Sequence, residues 1–164
     1  MRYIMREKLF ALGDDFTVQD AQGQDRYIVD GKVFSIGHKL IFREMSGNEV
    51  ATVHQKVLSL RPTYEITRDR TELAEVRKSF LTFLHERFTV DIPGPDDYNV
   101  TGSILEHEYT FERRGKTVAR VSKAWVALRD TYGVKVEPGE DDVLILASTV
   151  VIDMVNEDQR HRNN

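Results

Sequence analysis

Hydrophobic and polar residues alternate with a period of two along most of the chain up to about residue 137. Short segments rich in β-branched and aromatic residues, such as FTVQD, TYEITRD and YNVTGSI, are separated by turn residues at short intervals. The longer segment EVATVHQKVLSL is interpreted as one strand. Connections this short cannot hold crossover helices, so neighbouring strands are expected to pair antiparallel. A sheet of about a dozen strands must curl, and closure removes its exposed edges. The pattern therefore predicts an all-β fold, a closed antiparallel barrel of about twelve strands.

The final segment has a different pattern. Pro138-Gly139 ends the last strand, and the acidic residues 140–142 place negative charge where a helix N-terminus favours it. From Val143 to Val155 apolar residues lie on every side of a helical wheel, which predicts a helix buried on all sides, inside the barrel. The side chains predicted to be buried are Val143, Leu144, Ile145, Leu146, Val150, Val151, Ile152 and Met154. We interpret residues 1–155 as a single domain and residues 156–164 as a polar, frayed tail.

Three stretches of the chain align with one another: EVATVHQKVLSLRPTYEI, ELAEVRKSFLTFLHERFTV and TVARVSKAWVALRDTYGV. Each carries Ala-x-Val followed by a lysine, and the alanines are Ala51, Ala74 and Ala119. The second interval between these alanines is nearly twice the first. The spacing predicts a repeating strand pair of about 23 residues, with one degenerate copy between residues 92 and 114.

The stretch GKVFSIGHKLIFREMSGNEVATVHQKVLSLRPTYEI resembles the LURP-one-related family, and SKAWVALRDTYGV and ASTVVID resemble later segments of that family. The resemblance extends from Tyr3 to Asp153. It implies a fold similar to the tubby C-terminal domain, a twelve-stranded closed barrel around a central C-terminal helix. That fold group includes the phospholipid scramblases, and some tubby domains bind phosphoinositide headgroups. The family has no established biochemical activity, so the resemblance implies no catalytic residues. The sequence also lacks the cysteine-rich, Pro-rich and terminal membrane segments of scramblases.

Composition excludes several classes of protein. The chain has no cysteine, so it has no disulfide, thiolate nucleophile or cysteine-ligated metal. Its net charge of −4 argues against a nucleic-acid partner. No secretory signal is apparent, and the apolar run from Val143 to Val155 rises about 20 Å, short of a ~30 Å membrane core. We expect a cytoplasmic protein that does not span a membrane.

Motifs that carry chemistry are not apparent. The sequence has no GxSxG, Walker or GxGxxG motif, which argues against an enzyme. The acidic pairs Asp14-Asp15, Asp96-Asp97 and Asp141-Asp142 lack the spacing of a calcium loop. Neither a metal nor a cofactor is expected. Each histidine is interpreted as a solvated strand residue, and the five are His38, His54, His85, His107 and His161.

Asp153 is unusual because it interrupts the apolar helix. A buried carboxylate must find a partner or become neutral. We expect Asp153 to lie near the barrel mouth, with a hydrogen bond to strand backbone or to an arginine. The alternative is a functional carboxylate.

Basic residues recur with the repeated hairpins, at Lys32, Lys56, Lys78 and Lys123, joined by Arg61, Arg77 and Arg129. If these occupy equivalent strand ends, they form a local basic patch despite the net negative charge. The alternative is that they are solvated edge residues. The hypothetical binding residues are Lys56, Arg61, Lys78 and Lys123.

The predicted function is a non-enzymatic binding module. Its candidate ligands are anionic phospholipid headgroups, phosphate or a partner protein. The alternatives are a protein–protein adaptor and, less favoured, an enzyme with a barrel-mouth pocket that uses a buried carboxylate.

Overall fold

The computed structural model describes residues 1–6, 15–33, 37–79, 87–127 and 130–162. These residues form twelve strands, two 3-10 turns and one helix. The strands are β1 (Arg2–Arg6), β2 (Phe16–Asp20), β3 (Asp25–Val33), β4 (His38–Glu44), β5 (Glu49–Gln55), β6 (Thr63–Arg68), β7 (Thr71–Lys78), β8 (Arg87–Asp91), β9 (Tyr98–Ser103), β10 (Glu108–Arg113), β11 (Lys116–Ser122) and β12 (Thr131–Val136). The 3-10 turns are Ile104–Glu106 and Lys123–Trp125, and the helix, α1, is Asp142–Arg162.

The strands form one closed barrel in which each strand pairs antiparallel with its neighbours in sequence. Closure comes from β1, which pairs with β12 from Arg2 opposite Lys135 to Arg6 opposite Thr131. The predicted all-β closed antiparallel barrel around a C-terminal helix is confirmed. In β1 the buried Tyr3 and Met5 alternate with more exposed residues, with the same period of two.

The barrel has two distinct ends, because successive strands run in opposite directions. At the first, called the loop end, the odd-numbered strands finish and the connections β1–β2, β3–β4, β5–β6, β7–β8, β9–β10 and β11–β12 lie. At the second, called the turn end, the remaining hairpin turns and the β12–α1 connection lie. Since α1 follows β12, the helix enters at the turn end and runs toward the loop end.

The helix fills the barrel and packs against β5, β6, β7 and β12. All eight side chains predicted to be buried are buried, and the most exposed of them is Val143 at 8%. The helix continues to Arg162, so residues 156–162 are helical where the sequence suggested a frayed tail. Asn156 is still buried, which shows that the barrel interior covers the helix beyond Val155.

The start of the helix is fixed to the turn end by its acidic residues. The Arg68 guanidinium donates to both carboxylate oxygens of Asp141 at 2.9 and 3.0 Å. The same carboxylate accepts from the Leu144 amide at 3.0 Å, which caps the helix. Tyr98 donates to Glu140 at 3.1 Å. Burial pushes the pKa of Asp141 upward, but Arg68 and the helix amides outweigh burial and leave it lowered.

The repeated alanines occupy equivalent positions in the wall. Each is buried and lies opposite the last residue before a shift in strand register, in the pairs Phe42–Ala51, Ile66–Ala74 and Phe111–Ala119. Each alanine strand carries one extra residue at the shift, namely Val50, Leu73 and Val118. A β-bulge bends the strand that contains it. The sequence repeat therefore corresponds to a repeated bend in the barrel wall.

Candidate functional site

The connection between β5 and β6 exposes the most apolar surface of the described residues. Leu58 and Leu60 are each 98% exposed, and Val57 is 51% exposed. Fully exposed neighbouring leucines are unfavourable in water and mark a contact surface when they are grouped. We call residues 57–60 the leucine loop.

The leucine loop is held by polar contacts at its base, so its apolar side chains face outward. The Lys56 amide donates to the Thr63 carbonyl at 2.9 Å and closes the hairpin. The Ser59 amide donates to the Lys56 carbonyl at 3.2 Å, and the hydroxyls of Ser59 and Thr63 lie 2.9 Å apart. The interpretation of residues 49–60 as one strand is thus wrong, because β5 ends at Gln55.

Three of the four predicted binding residues lie beside the leucine loop. Lys56 and Arg61 flank it, and Lys78 ends β7 at the same end of the barrel. The Lys56 ammonium forms an ion pair with Glu75, and the Lys78 ammonium lies 5.7 Å from the centre of the Phe88 ring. These three residues occupy one side of the loop end.

Lys123 lies at the same end but on the opposite side. It begins the 3-10 turn after β11, and β11 is six strands from β5 in either direction around the barrel. Glu108 fixes this turn by accepting from the Ser122 hydroxyl and the Lys123 amide, both at 2.8 Å. The four residues therefore do not form one patch. The Lys32 side chain and Arg129, which extend the predicted basic set, lie outside the described residues.

Positive charge is concentrated at the rim around the leucine loop. Among the described residues of β5–β8, Lys56, Arg61, Lys78 and Arg87 lie at or beyond the strand ends. The carboxylates of these four strands lie further along them: Glu49, Glu65, Glu72, Glu75 and Asp91. Arg77, one residue inside the rim, forms an ion pair with Asp91. The sector therefore presents cations outermost, although the whole chain carries −4.

A groove of about 460 Å³ runs along the outer wall across β4–β6. Lys39, Arg68 and Arg70 line it, but so do Glu49 and Asp69. The Arg68 guanidinium is already paired with Asp141, and the other four charges balance, so the groove offers an anion little net attraction.

A second cluster lies inside the barrel, near the loop end. The Tyr132 hydroxyl donates to one carboxylate oxygen of Asp153, and His107 Nε2 lies 3.3 Å from the other. The His107 and Tyr132 rings are stacked, with centroids 4.3 Å apart. Asp153 thus has tyrosine and histidine neighbours rather than the strand backbone or arginine that the sequence suggested.

His107 is not a solvated strand residue, in contrast to the sequence interpretation. It follows the first 3-10 turn in the left-handed backbone region, with φ 54° and ψ 44°. Its side chain is only 12% exposed and faces Asp153. The sequence Glu106-His107-Glu108 is compatible with a strand, so the local pattern does not indicate the 3-10 turn that precedes His107. His85 lies outside the described residues, as does the side chain of His161.

Tyr109 extends the cluster along the helix. Its hydroxyl lies near Thr149 and Asp153, and the side chain is fully buried. Burial, followed by the negative charge of Asp153, raises the pKa of Tyr109 well above its usual value. Tyr109 is therefore a neutral phenol at physiological pH.

Neither a metal site nor a membrane-spanning helix is found within the described part of the chain. No group of three or more His, Asp or Glu side chains there is arranged to hold a metal ion. None of the described helices has both the length and the apolar character needed to cross a membrane.

Comparison with known proteins identifies a family, a relative of similar length and a solved structure with a similar fold. The family model described as LURP-one-related matches residues 1–153. An uncharacterised protein, YxjI of Bacillus subtilis (strain 168), is 29% identical over 151 residues, which are 92% of this chain and 91% of the relative. An X-ray structure of an Arabidopsis thaliana protein has a TM-score of 0.69 at 20% identity, covering 94% of this chain and 91% of that one. The latter likeness concerns the fold alone.

Proposed function

This chain belongs to the LURP-one-related family, and we propose that the loop end of its barrel binds an anionic membrane surface through the leucine loop. The observation that carries the proposal is the pair Leu58 and Leu60, each 98% exposed between two basic residues. The protein is then a peripheral membrane-binding module. Its footprint, the part of its surface that contacts the membrane, is centred on β5–β7.

The apolar part of the proposal rests on burial of the two leucines. Full burial of a leucine side chain is worth roughly 1.5–3 kcal/mol. Partial insertion of both side chains at the acyl boundary supplies enough free energy for weak, reversible attachment. The backbone of the loop is closed by Lys56 and Thr63, so it needs little ordering on binding.

The electrostatic part rests on the cations that flank the loop. Each basic residue near an anionic bilayer contributes about 1 kcal/mol. Lys56 and Arg61 are the two nearest, and Lys78 lies two strands from β5. Because the chain as a whole is negative, attraction is confined to this sector and decays as salt shortens the Debye length from ~10 Å at 0.1 M to ~3 Å at 1 M.

The experiment is vesicle sedimentation at low salt, with phosphatidylcholine vesicles alone and with added phosphatidylserine. We expect binding to the anionic vesicles and release at high salt. The variant Leu58→Ser/Leu60→Ser should abolish binding. Met45→Ser is its control, since Met45 is also exposed but lies at the turn end.

The charge variants test the footprint. Arg61→Glu should weaken binding roughly fivefold or more, whereas Lys123→Glu, on the opposite side of the barrel, should change it little. Equal losses from both variants contradict a footprint centred on the leucine loop.

Failure of the wild-type protein to bind any anionic vesicle at low salt overturns the membrane proposal. In that case the leucine loop is better explained as the contact surface of a protein–protein adaptor.

A further inference from the structure

The groove across β4–β6 is balanced in charge, but its charges are separated along its length. Lys39, near the start of β4, and His54, near the end of β5, are register partners and lie toward the loop end. Glu49 begins β5, and Asp69 and Arg70 connect β6 to β7, so these three line the groove toward the turn end. The groove therefore has a cation at one side and an excess of carboxylates at the other.

The charges of the groove are available to a ligand. Among the described residues, Lys39, Asp69 and Arg70 have no ion pair or side-chain hydrogen bond. The Glu49 carboxylate accepts from the Thr52 hydroxyl at 2.6 Å, which orients it but gives it no positive partner. On the loop-end side Glu65 lies opposite His54 on β6, but it does not line the groove.

The bulge in β5 shapes the turn-end side of the groove. Consecutive residues of a regular strand face opposite sides of a sheet, yet Glu49 and Val50 both line the groove. Val50 is the extra residue at the shift in register between β4 and β5, and a bulge of this kind redirects the side chains beside it. In the middle of the groove Thr52 and Thr67 are register partners, so two hydroxyls lie between the charged sides.

The length of the groove sets the length of the ligand. His54 and Glu49 are five positions apart on one strand, and a strand rises about 3.3 Å per residue, so the two sides are roughly 13–16 Å apart when the bulge is allowed for. An extended peptide of four residues spans about 13–14 Å. The volume of about 460 Å³ falls in the range of ligand sites, roughly 300–1,000 Å³.

We propose that this groove binds a short peptide with free termini, about four residues long. Its carboxylate lies toward Lys39, and its ammonium lies toward Glu49 and Asp69, so both ends make charge-assisted hydrogen bonds. The hydroxyls of Thr52 and Thr67 face the peptide amides between them. A ligand with a single charge satisfies one side only, so the separated charges select a dipolar ligand. The proposal is independent of membrane binding and uses no residue of the leucine loop.

The experiment follows the backbone amide signals of the full-length protein by NMR during titration with tetra-alanine at low salt. We expect shifts at Thr52, His54 and Thr67 and a Kd in the millimolar range. N-acetyl-tetra-alanine lacks the ammonium and tetra-alanine amide lacks the carboxylate. Each capped peptide should bind roughly fivefold more weakly, because it loses the contacts of one charged side.

Variants assign each end of the peptide to one side of the groove. Lys39→Gln should weaken binding of tetra-alanine roughly fivefold and leave binding of tetra-alanine amide unchanged, because that peptide has no carboxylate to lose. Glu49→Gln should act in the same way on tetra-alanine and spare N-acetyl-tetra-alanine. The matched control is Lys116→Gln on β11, six strands from β5, which should leave binding unchanged.

Three results would overturn the proposal. The first is no shift at the groove with tetra-alanine at millimolar concentration. The second is equal binding of the free and capped peptides, which contradicts recognition of both termini. The third is an equal loss for all three peptides in Lys39→Gln, which contradicts a contact between Lys39 and the peptide carboxylate.

Discussion

Arg68 and Asp141 are 73 residues apart in the chain and joined by two hydrogen bonds of 2.9 and 3.0 Å. Arg68 ends β6 and Asp141 immediately precedes α1, so the pair fixes the helix N-terminus to the barrel wall at the turn end. Arg68 also donates to the Val50 carbonyl at 3.0 Å, at the bulge of β5. One side chain therefore joins the helix to two strands.

We predict a measurable coupling between these two residues. Arg68→Met and Asp141→Asn should each lower the free energy of unfolding by about 1 kcal/mol, a modest figure because both side chains are one-third exposed and screened by water. Urea unfolding of the two single variants and the double variant gives the coupling energy. Arg43→Met, which loses a single ion pair with Asp30, is the control and should change stability less. Additive single losses contradict a direct interaction.

The lowered pKa of Asp141 predicts a specific loss of stability in acid. The folded-state pKa lies below the ordinary value of 3.8, so folding favours the ionised form. Its contribution is fully present above pH 3.8 and is lost as pH falls through the folded pKa. Tm measured from pH 7 to pH 2 should fall less for Asp141→Asn than for the wild-type protein. Parallel pH profiles for the two proteins contradict this assignment.

Gly102 is predicted to tolerate no side chain. Its φ is 137°, and an added Cβ would lie 2.5 Å from the Glu108 carbonyl oxygen and 2.7 Å from the Tyr109 Cα. Gly102→Ala should destabilise the protein by roughly 3 kcal/mol or more and displace Tyr109 from its place beside Thr149 and Asp153. Gly23→Ala is the control: φ is also positive, but nothing lies within 4 Å, so only backbone strain of about 1–2 kcal/mol is expected. Similar losses in both variants, by chemical unfolding, contradict a steric cause.

Removal of the helix is predicted to unfold the barrel. Deletion from Gly139 onward leaves the inward-facing side chains around an empty centre, and even one large-to-Ala change in a core costs ~2–5 kcal/mol. Ile145→Ala, at a fully buried position, is a milder test and should lower stability by about 2–5 kcal/mol. A soluble truncated protein with a cooperative melting transition contradicts the central role of the helix.

Periodicity predicted the fold because burial here follows simple geometry. Strands such as β2 and β10 have one face toward the helix, so their residues alternate, and the helix is enclosed, so it is apolar on all sides. The repeat was recognisable because Ala51, Ala74 and Ala119 share one position relative to a bulge.

The sites were less predictable because they depend on positions around the barrel. The repeat placed Lys56 and Lys123 at the same end but carried no information on their angular separation of six strands. The leucine loop resembles a continuation of β5, and only the contact from Lys56 to Thr63 defines it as a loop. His107 meets Asp153 through a left-handed turn, 46 positions away in the chain, which local patterns do not encode.

Closure of the barrel by β1 and β12 also determines how the protein folds. Arg2 pairs with Lys135 and Arg6 with Thr131, so the seam joins the first strand to the last, with all the other strands between them in the chain. The helix that fills the centre comes only after β12. Contacts this distant in sequence are entropically costlier to form than the hairpin contacts, so we expect the seam to close late in folding. Until the seam closes, the open sheet exposes two strand edges and an apolar face, so we expect partly folded chains to aggregate more readily than the closed barrel.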